Sequence, residues 1–167
     1  LPQGFAVLGI SRTAMSDDDF RAKMEDSVKE HLENSPFDQA LWDDFSRGLF
    51  YIAGDVGDDG LYQRLAVRLE EIAKARQTNG NALFYLSTQP SHYGPAAGGL
   101  GRAGLAKAAN GAWRRLVVEK PFGHDQTSAR ELEDQLHEYF EEEQLYRIDH
   151  YLGKETRSEE HTSELQS

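Results

Sequence analysis

The reading of this chain turns on Arg147-Ile148-Asp149-His150-Tyr151-Leu152-Gly153-Lys154-Glu155, close to its carboxyl end. The stretch follows an acidic helical pattern and opens as a strand, with Leu145, Ile148 and Tyr151 as its apolar side chains. Between positions 149 and 154 it then gathers a carboxylate, an imidazole, a phenol and an ammonium. That set suits a phosphorylated polyol. Lysine and a protonated histidine offer charge-assisted hydrogen bonds to phosphate, tyrosine adds a neutral donor, and aspartate can orient a catalytic histidine. Spacing alone favours the plainer reading, a strand end with ordinary polar residues running into a helix.

Working outward, short apolar runs recur at 5–10, 49–54, 82–87 and 115–119, each of the kind found in strands covered on both faces. Helical patterns separate them. Ser16 with Asp17, Asp18 and Asp19 marks a helix start, and Phe20, Met24, Val28 and Leu32 line one face. Ser35-Pro36 is expected to cap and open a second helix carrying Phe37, Leu41, Trp42 and Phe45. Tyr62, Leu65, Leu69 and Ile72 stripe a third, and Asp125 caps another with Ala129, Leu132, Leu136 and Phe140 inward. Strands alternating with helices predict one mostly parallel α/β sheet, with 5–10, 49–54, 82–87, 115–119 and 145–149 as its strands. The Gly- and Pro-rich segment from Tyr93 to Gly98 reads as a loop.

At 167 residues, with 38% hydrophobic and 28% charged residues, the chain has a globular balance and length for one core. A net charge of −11 argues against nonspecific binding to nucleic acid or anionic membranes. An anionic ligand therefore needs a local basic pocket, for which Lys120, His150 and Lys154 are candidates. There is no cysteine, hence no disulfide framework and no thiolate zinc site, and a cytoplasmic location fits. No membrane-span or signal-peptide pattern is present in the sequence given. Leu1-Pro2-Gln3-Gly4 runs almost directly into a strand, as if cut through a loop. Residues 157–167 (RSEEHTSELQS) carry no apolar periodicity. They resemble the translation of a common sequencing-library adapter, so a functional domain is expected over 1–156 and a non-native or disordered tail over 157–167.

Four further constellations bear on chemistry. Glu119-Lys120-Pro121-Phe122-Gly123 stands where a strand ends, the position at which open α/β sheets gather ligands. Ser11-Arg12-Thr13 follows the first strand of the chain, and an arginine there is one means of meeting the 2′-phosphate of NADP. Gly99-Leu100-Gly101-Arg102-Ala103-Gly104 satisfies G-x-G-x-x-G, with Glu119 twenty residues beyond Gly99, but no strand directly precedes it, so it is rejected as a dinucleotide fingerprint. His137 and Glu141 share a helical face without a third partner, and no metal site is assigned.

The nine-residue string and Glu-Lys-Pro-Phe-Gly together resemble the glucose-6-phosphate dehydrogenase family, and the resemblance covers residues 1 to about 156. It implies a partial Rossmann-type, doubly wound sheet that lacks its first strand and Gly-rich loop. It further implies NADP as cofactor, glucose 6-phosphate as substrate and a homo-oligomeric parent enzyme. On this resemblance Asp149 orients a catalytic histidine outside the chain, while Lys120, His150, Tyr151 and Lys154 hold the sugar phosphate. Arg12, Tyr93 and Lys120 lie on the cofactor side, although Gln89-Pro90 stands where the family has Pro-Pro. The fragment alone is then expected to be inactive. The competing expectation is a non-catalytic nucleotide- or phosphate-binding α/β module with a natural acidic tail.

Overall fold

A computed structural model describes residues 4–32, 35–108, 111–120 and 125–149. Its strands are β1 (Val7–Ser11), β2 (Leu49–Ala53), β3 (Ala82–Leu86), β4 (Arg114–Glu119) and β5 (Leu145–Ile148), and its α-helices are α1 (Asp17–His31), α2 (Gln39–Ser46), α3 (Asp59–Arg76), α4 (Tyr93–Arg102) and α5 (Gln126–His137). Every strand pair is parallel. Among the described residues no helix is long and apolar enough to cross a membrane.

The strands form two sheets where one was expected. β1 pairs with β2, and β3-β4-β5 make a separate three-stranded sheet. Periodicity predicts strands but carries no information about which edges meet. The two runs match the ends of the doubly wound order 3-2-1-4-5-6, with β2-β1 as strands 3-2 and β3-β4-β5 as strands 4-5-6. The break falls at the position of strand 1, the strand that the family resemblance finds lacking.

Helix starts follow local chemistry. Ser16 and Asp19 form a capping box at α1, with the Ser16 hydroxyl accepting from the Asp19 N–H at 3.0 Å and the Asp19 carboxylate accepting from the Ser16 N–H at 3.1 Å. α5 begins in the same way through Asp125 and Ser128. The cap of α2 lies later than Ser35-Pro36. Asp38 accepts from the Leu41 N–H at 3.0 Å, and Phe37 just outside packs on Trp42 with ring centroids 6.1 Å apart. This staple anchors the entrance to the helix and outweighs the proline signal.

The segment beginning at Tyr93 is a helix, not a loop. Pro95 sits in its first turn, where an N–H has no helical partner. Ala96, Ala97, Gly98 and Gly99 are small enough to be buried, so packing overrides poor propensity. A Cβ at Gly99 would run into the Tyr62 ring, and one at Gly101 into Tyr139. The G-x-G-x-x-G match thus straddles the end of a helix, which agrees with its rejection.

One core lies between α3, α4 and α5 and the sheets. Leu61, Tyr62, Leu65, Tyr93, Ala97, Leu100, Leu116, Val118, Leu132, Leu136, Phe140 and Leu145 form it. Burial pushes the Tyr62 phenol up to about 12. α1 covers the other face of β1-β2, where Phe20 lies 5.2 Å from the Tyr51 ring.

Candidate functional site

Parallel strands bring their carboxyl ends to one edge, and at the ends of β4 and β5 stand Lys120 and Asp149. The ladder places them. Glu119 is opposite Ile148, and the Lys120 N–H donates to the Ile148 carbonyl at 2.9 Å. The side chains then meet, with Lys120 Nζ 3.7 Å from Asp149 Oδ2. The lysine side chain is 54% exposed and the carboxylate 28%, so the ammonium remains open to a ligand. A pair this exposed adds at most about 1 kcal/mol of stability, and its significance is placement.

The residue before Lys120 is held on two sides. The Tyr93 hydroxyl donates to the Glu119 carbonyl at 3.0 Å and accepts from the Glu119 N–H at 3.3 Å. The Tyr85 hydroxyl donates to the Glu119 carboxylate, a bond that raises the tyrosine's pKa. Both tyrosines come from β3 and the segment after it, so they anchor the end of β4 to its neighbour.

Tyr93, placed on the cofactor side by the family resemblance, has its hydroxyl turned to the protein backbone. Its side chain is 1% exposed, its hydroxyl is engaged with the Glu119 backbone, and burial raises its pKa. As the first residue of α4 it is turned beneath β4, into the core. What it reaches is the backbone beside Lys120.

Arg12 is exposed just beyond β1. The turn that carries it is braced by Tyr51, whose hydroxyl lies 2.7 Å from Ser11 Oγ and donates to the Thr13 carbonyl at 2.6 Å, while the Thr13 N–H donates to Ser11 Oγ at 3.3 Å. Arg12 thus stands at a strand end, as expected, but in the other sheet. No ion pair among the described residues joins it to Asp149. His150, Tyr151 and Lys154 lie outside the described residues, as does the 157–167 tail.

Arg147, within the opening string, received no role from sequence. Its guanidinium donates from Nε to Glu133 Oε1 at 2.9 Å, from Nη2 to Glu133 Oε2 at 2.6 Å and from Nη1 to Glu142 Oε1 at 2.9 Å. These bonds raise its pKa and tie β5 to α5. His137 also faces Glu142, at 3.2 Å, rather than Glu141. Ligand atoms of Glu133, His137 and Glu142 lie within 4.8 Å of one another, but the arginine already engages both carboxylates. The signal that was available was the alternation along β5, which puts Arg147 on the same face as Leu145.

Parallel strands, helical crossovers and polar residues gathered at the strand carboxyl ends define a partial Rossmann-like, doubly wound α/β unit. The family model described as "Glucose-6-phosphate dehydrogenase, NAD binding domain" matches residues 1–158. The chain belongs to that family. A glucose-6-phosphate 1-dehydrogenase of Aggregatibacter actinomycetemcomitans is 45% identical over 156 residues, covering 93% of this chain and 31% of that protein. The glucose-6-phosphate 1-dehydrogenase of Leuconostoc mesenteroides is 39% identical over 155 residues, again 93% of this chain and 31% of its own. Among solved structures, glucose-6-phosphate 1-dehydrogenase from Mycobacterium avium aligns with a TM-score of 0.72 at 33% identity, over 90% of this chain and 30% of that one. A glucose-6-phosphate dehydrogenase in complex with its substrate glucose-6-phosphate aligns at 0.74 and 34% identity, with the same coverage. The chain therefore spans less than a third of these relatives' length.

Proposed function

We propose that this chain is the nucleotide-binding portion of an NADP-dependent, cytoplasmic glucose-6-phosphate 1-dehydrogenase. That enzyme oxidises C1 of glucose 6-phosphate to the lactone at the start of the pentose phosphate pathway. The observation that carries the proposal is the meeting of Lys120 and Asp149 across neighbouring strand ends, 3.7 Å apart. These are the residues that the family resemblance gives to sugar phosphate and to orientation of the catalytic histidine.

The residues present fit a phosphorylated cofactor at this edge. Arg12 offers an exposed guanidinium on a braced turn, and Lys120 offers a half-exposed ammonium. Bound NADP supplies the hydride acceptor. Arg12 would hold its 2′-phosphate and so favour NADP over NAD. Lys120, His150, Tyr151 and Lys154 hold the sugar phosphate by charge-assisted and neutral hydrogen bonds. Asp149 accepts from a histidine beyond this chain and keeps that ring aimed to take the C1 hydroxyl proton. Tyr93 and Tyr85 position Glu119, and through it Lys120.

The test is a chimera in which residues 1–156 replace the matching segment of the Aggregatibacter actinomycetemcomitans enzyme. NADP reduction that depends on glucose 6-phosphate supports the reading. A folded chimera that retains the parent's melting transition yet shows no turnover overturns it.

A further inference from the structure

Asp149 stands at the carboxyl end of β5, and apolar packing does little to hold it there. Among the described residues β5 ends its sheet and pairs with β4 alone. Leu145, at its amino end, is buried in the core, but Tyr146 and Ile148 lie on the opposite face and are 42% and 39% exposed. At the far end the Lys120 N–H donates to the Ile148 carbonyl at 2.9 Å. Past Leu145, the β5 side chain on the helical face of the sheet is Arg147.

Arg147 is clamped from two directions. Glu133 accepts from its Nε and Nη2, and Glu142 accepts from Nη1 at 2.9 Å and from Nη2 at 3.1 Å. Glu133 lies within α5, whereas Glu142 opens the single helical turn Glu142–Gln144 that leads into β5. A planar guanidinium can meet two carboxylates at once with fixed geometry, which an ammonium cannot. The arginine side chain is 22% exposed, so solvent screens this pair less than a fully exposed one. His137 Nε2 also lies near both carboxylates, 3.2 Å from Glu142 and 3.6 Å from Glu133. It shares α5 with Glu133, so it does not tie that helix to the strand. The contact that crosses from α5 to β5 is the one made by Arg147.

We propose that Arg147 is a positioning residue for the dehydrogenase reaction. Held by Glu133 and Glu142, it fixes the carboxyl end of β5, and with it the direction in which Asp149 presents its carboxylate to the proton-accepting histidine. This rests on the role given to Asp149 in the proposed function. Only two residues separate the clamp from that carboxylate, and planar peptides leave two soft dihedrals at each, so a shift at Arg147 is carried along the chain. A misplacement on the order of 1 Å can cost about a hundredfold in rate. Nε, Nη1 and Nη2 of Arg147 are all engaged by the two glutamates, so it acts through Asp149 and not on the substrate.

One test needs no turnover. In the 167-residue chain the Lys120 amide reports on the end of β5, because it donates to the Ile148 carbonyl. Arg147→Met keeps the length of the side chain without its fork, and should speed hydrogen exchange of that amide about tenfold or more while the amides of β3 keep their rates. Arg147→Lys restores charge without the fork and should recover little of the protection. Glu133→Gln should give the same effect in weaker form, and serves if Arg147→Met fails to fold. Arg102→Met breaks a 2.6 Å contact with Asp59 between α4 and α3, and should leave the Lys120 amide unchanged. In the chimera, with every variant fully folded, Arg147→Met should lower kcat about tenfold and change KM for glucose 6-phosphate less than about twofold. Added to Asp149→Asn it should lower kcat no further, whereas a merely structural loss would add. Unchanged Lys120 exchange, an equal loss in Arg102→Met, an effect on KM alone, or additivity with Asp149→Asn would overturn the proposal. An active chimera indifferent to Arg147→Met overturns this inference alone, whereas a folded chimera inactive before any substitution overturns the proposed function and this inference together.

Discussion

Tyr93 carries two bonds on one hydroxyl, and both end on the backbone of Glu119. Tyr93→Phe keeps the ring in the core but leaves that backbone without its partner, at a cost of about 1–2 kcal/mol. Urea denaturation should show the loss as a lower midpoint at constant slope, and an unchanged midpoint would remove the hydroxyl from the account. In the chimera the same substitution should also raise KM for glucose 6-phosphate, since Lys120 is the next residue along. Two neighbouring residues should separate binding from chemistry. Lys154→Ala removes a charge-assisted bond to phosphate, about 1.5–3 kcal/mol, and should raise KM roughly ten- to hundredfold. Asp149→Asn should mainly lower kcat, because its work is on the proton-accepting histidine. Steady-state kinetics of the two variants checks this, and a kcat effect in the first with none in the second would reverse the assignments.

Helix α4 shows how packing selects residues that propensity disfavours. Alanine is better than glycine in a helix by about 1 kcal/mol, yet Gly99→Ala should destabilise by about 1–3 kcal/mol because its Cβ meets the Tyr62 ring in the core. Gly98→Ala meets only Arg102 Nη1, at 2.9 Å, the far end of a flexible chain, and should be neutral or slightly stabilising. Thermal melts of the pair make the comparison. Tyr62 also gives this contact a pH dependence. Its phenol titrates at 10.0 when unperturbed and at about 12 in the fold, mainly through burial. A raised acid favours the neutral folded form, so its stabilisation is complete below pH 10 and is lost as pH rises toward 12. Two pKa units correspond to roughly 2–3 kcal/mol. Tyr62→Phe should flatten the decline of stability across that window, and an equally steep decline in the variant would show that other groups cause it.

For the molecule as a whole, two sheets packed on one core should unfold together once that core is embedded in the full-length enzyme. In the chimera a single melting transition should replace whatever separate losses β1-β2 and β3-β4-β5 show in the fragment. Much of this was legible in the residues. The five apolar runs became strands, all parallel, because a strand covered on both faces has a continuous apolar signature. Ser16 and Asp125 capped their helices, since a capping box needs only residues three apart. Lys120 and Asp149 were each readable as strand-end residues from their places at the ends of two such runs. The sequence could not show what depends on contacts between distant residues. Tyr93 opens a Gly- and Pro-rich stretch that reads as a loop, and only the packing of Tyr62 and Tyr139 against small residues makes that stretch a buried helix. Arg147 carries no role in the sequence reading, because the carboxylates that hold it, Glu133 and Glu142, are brought to it only by the packing of α5 and the turn after it on β5. Strand order was decided by tertiary structure alone, because hydrogen-bonded edges carry no side-chain signature: periodicity records which faces are covered, and says nothing of which edges meet.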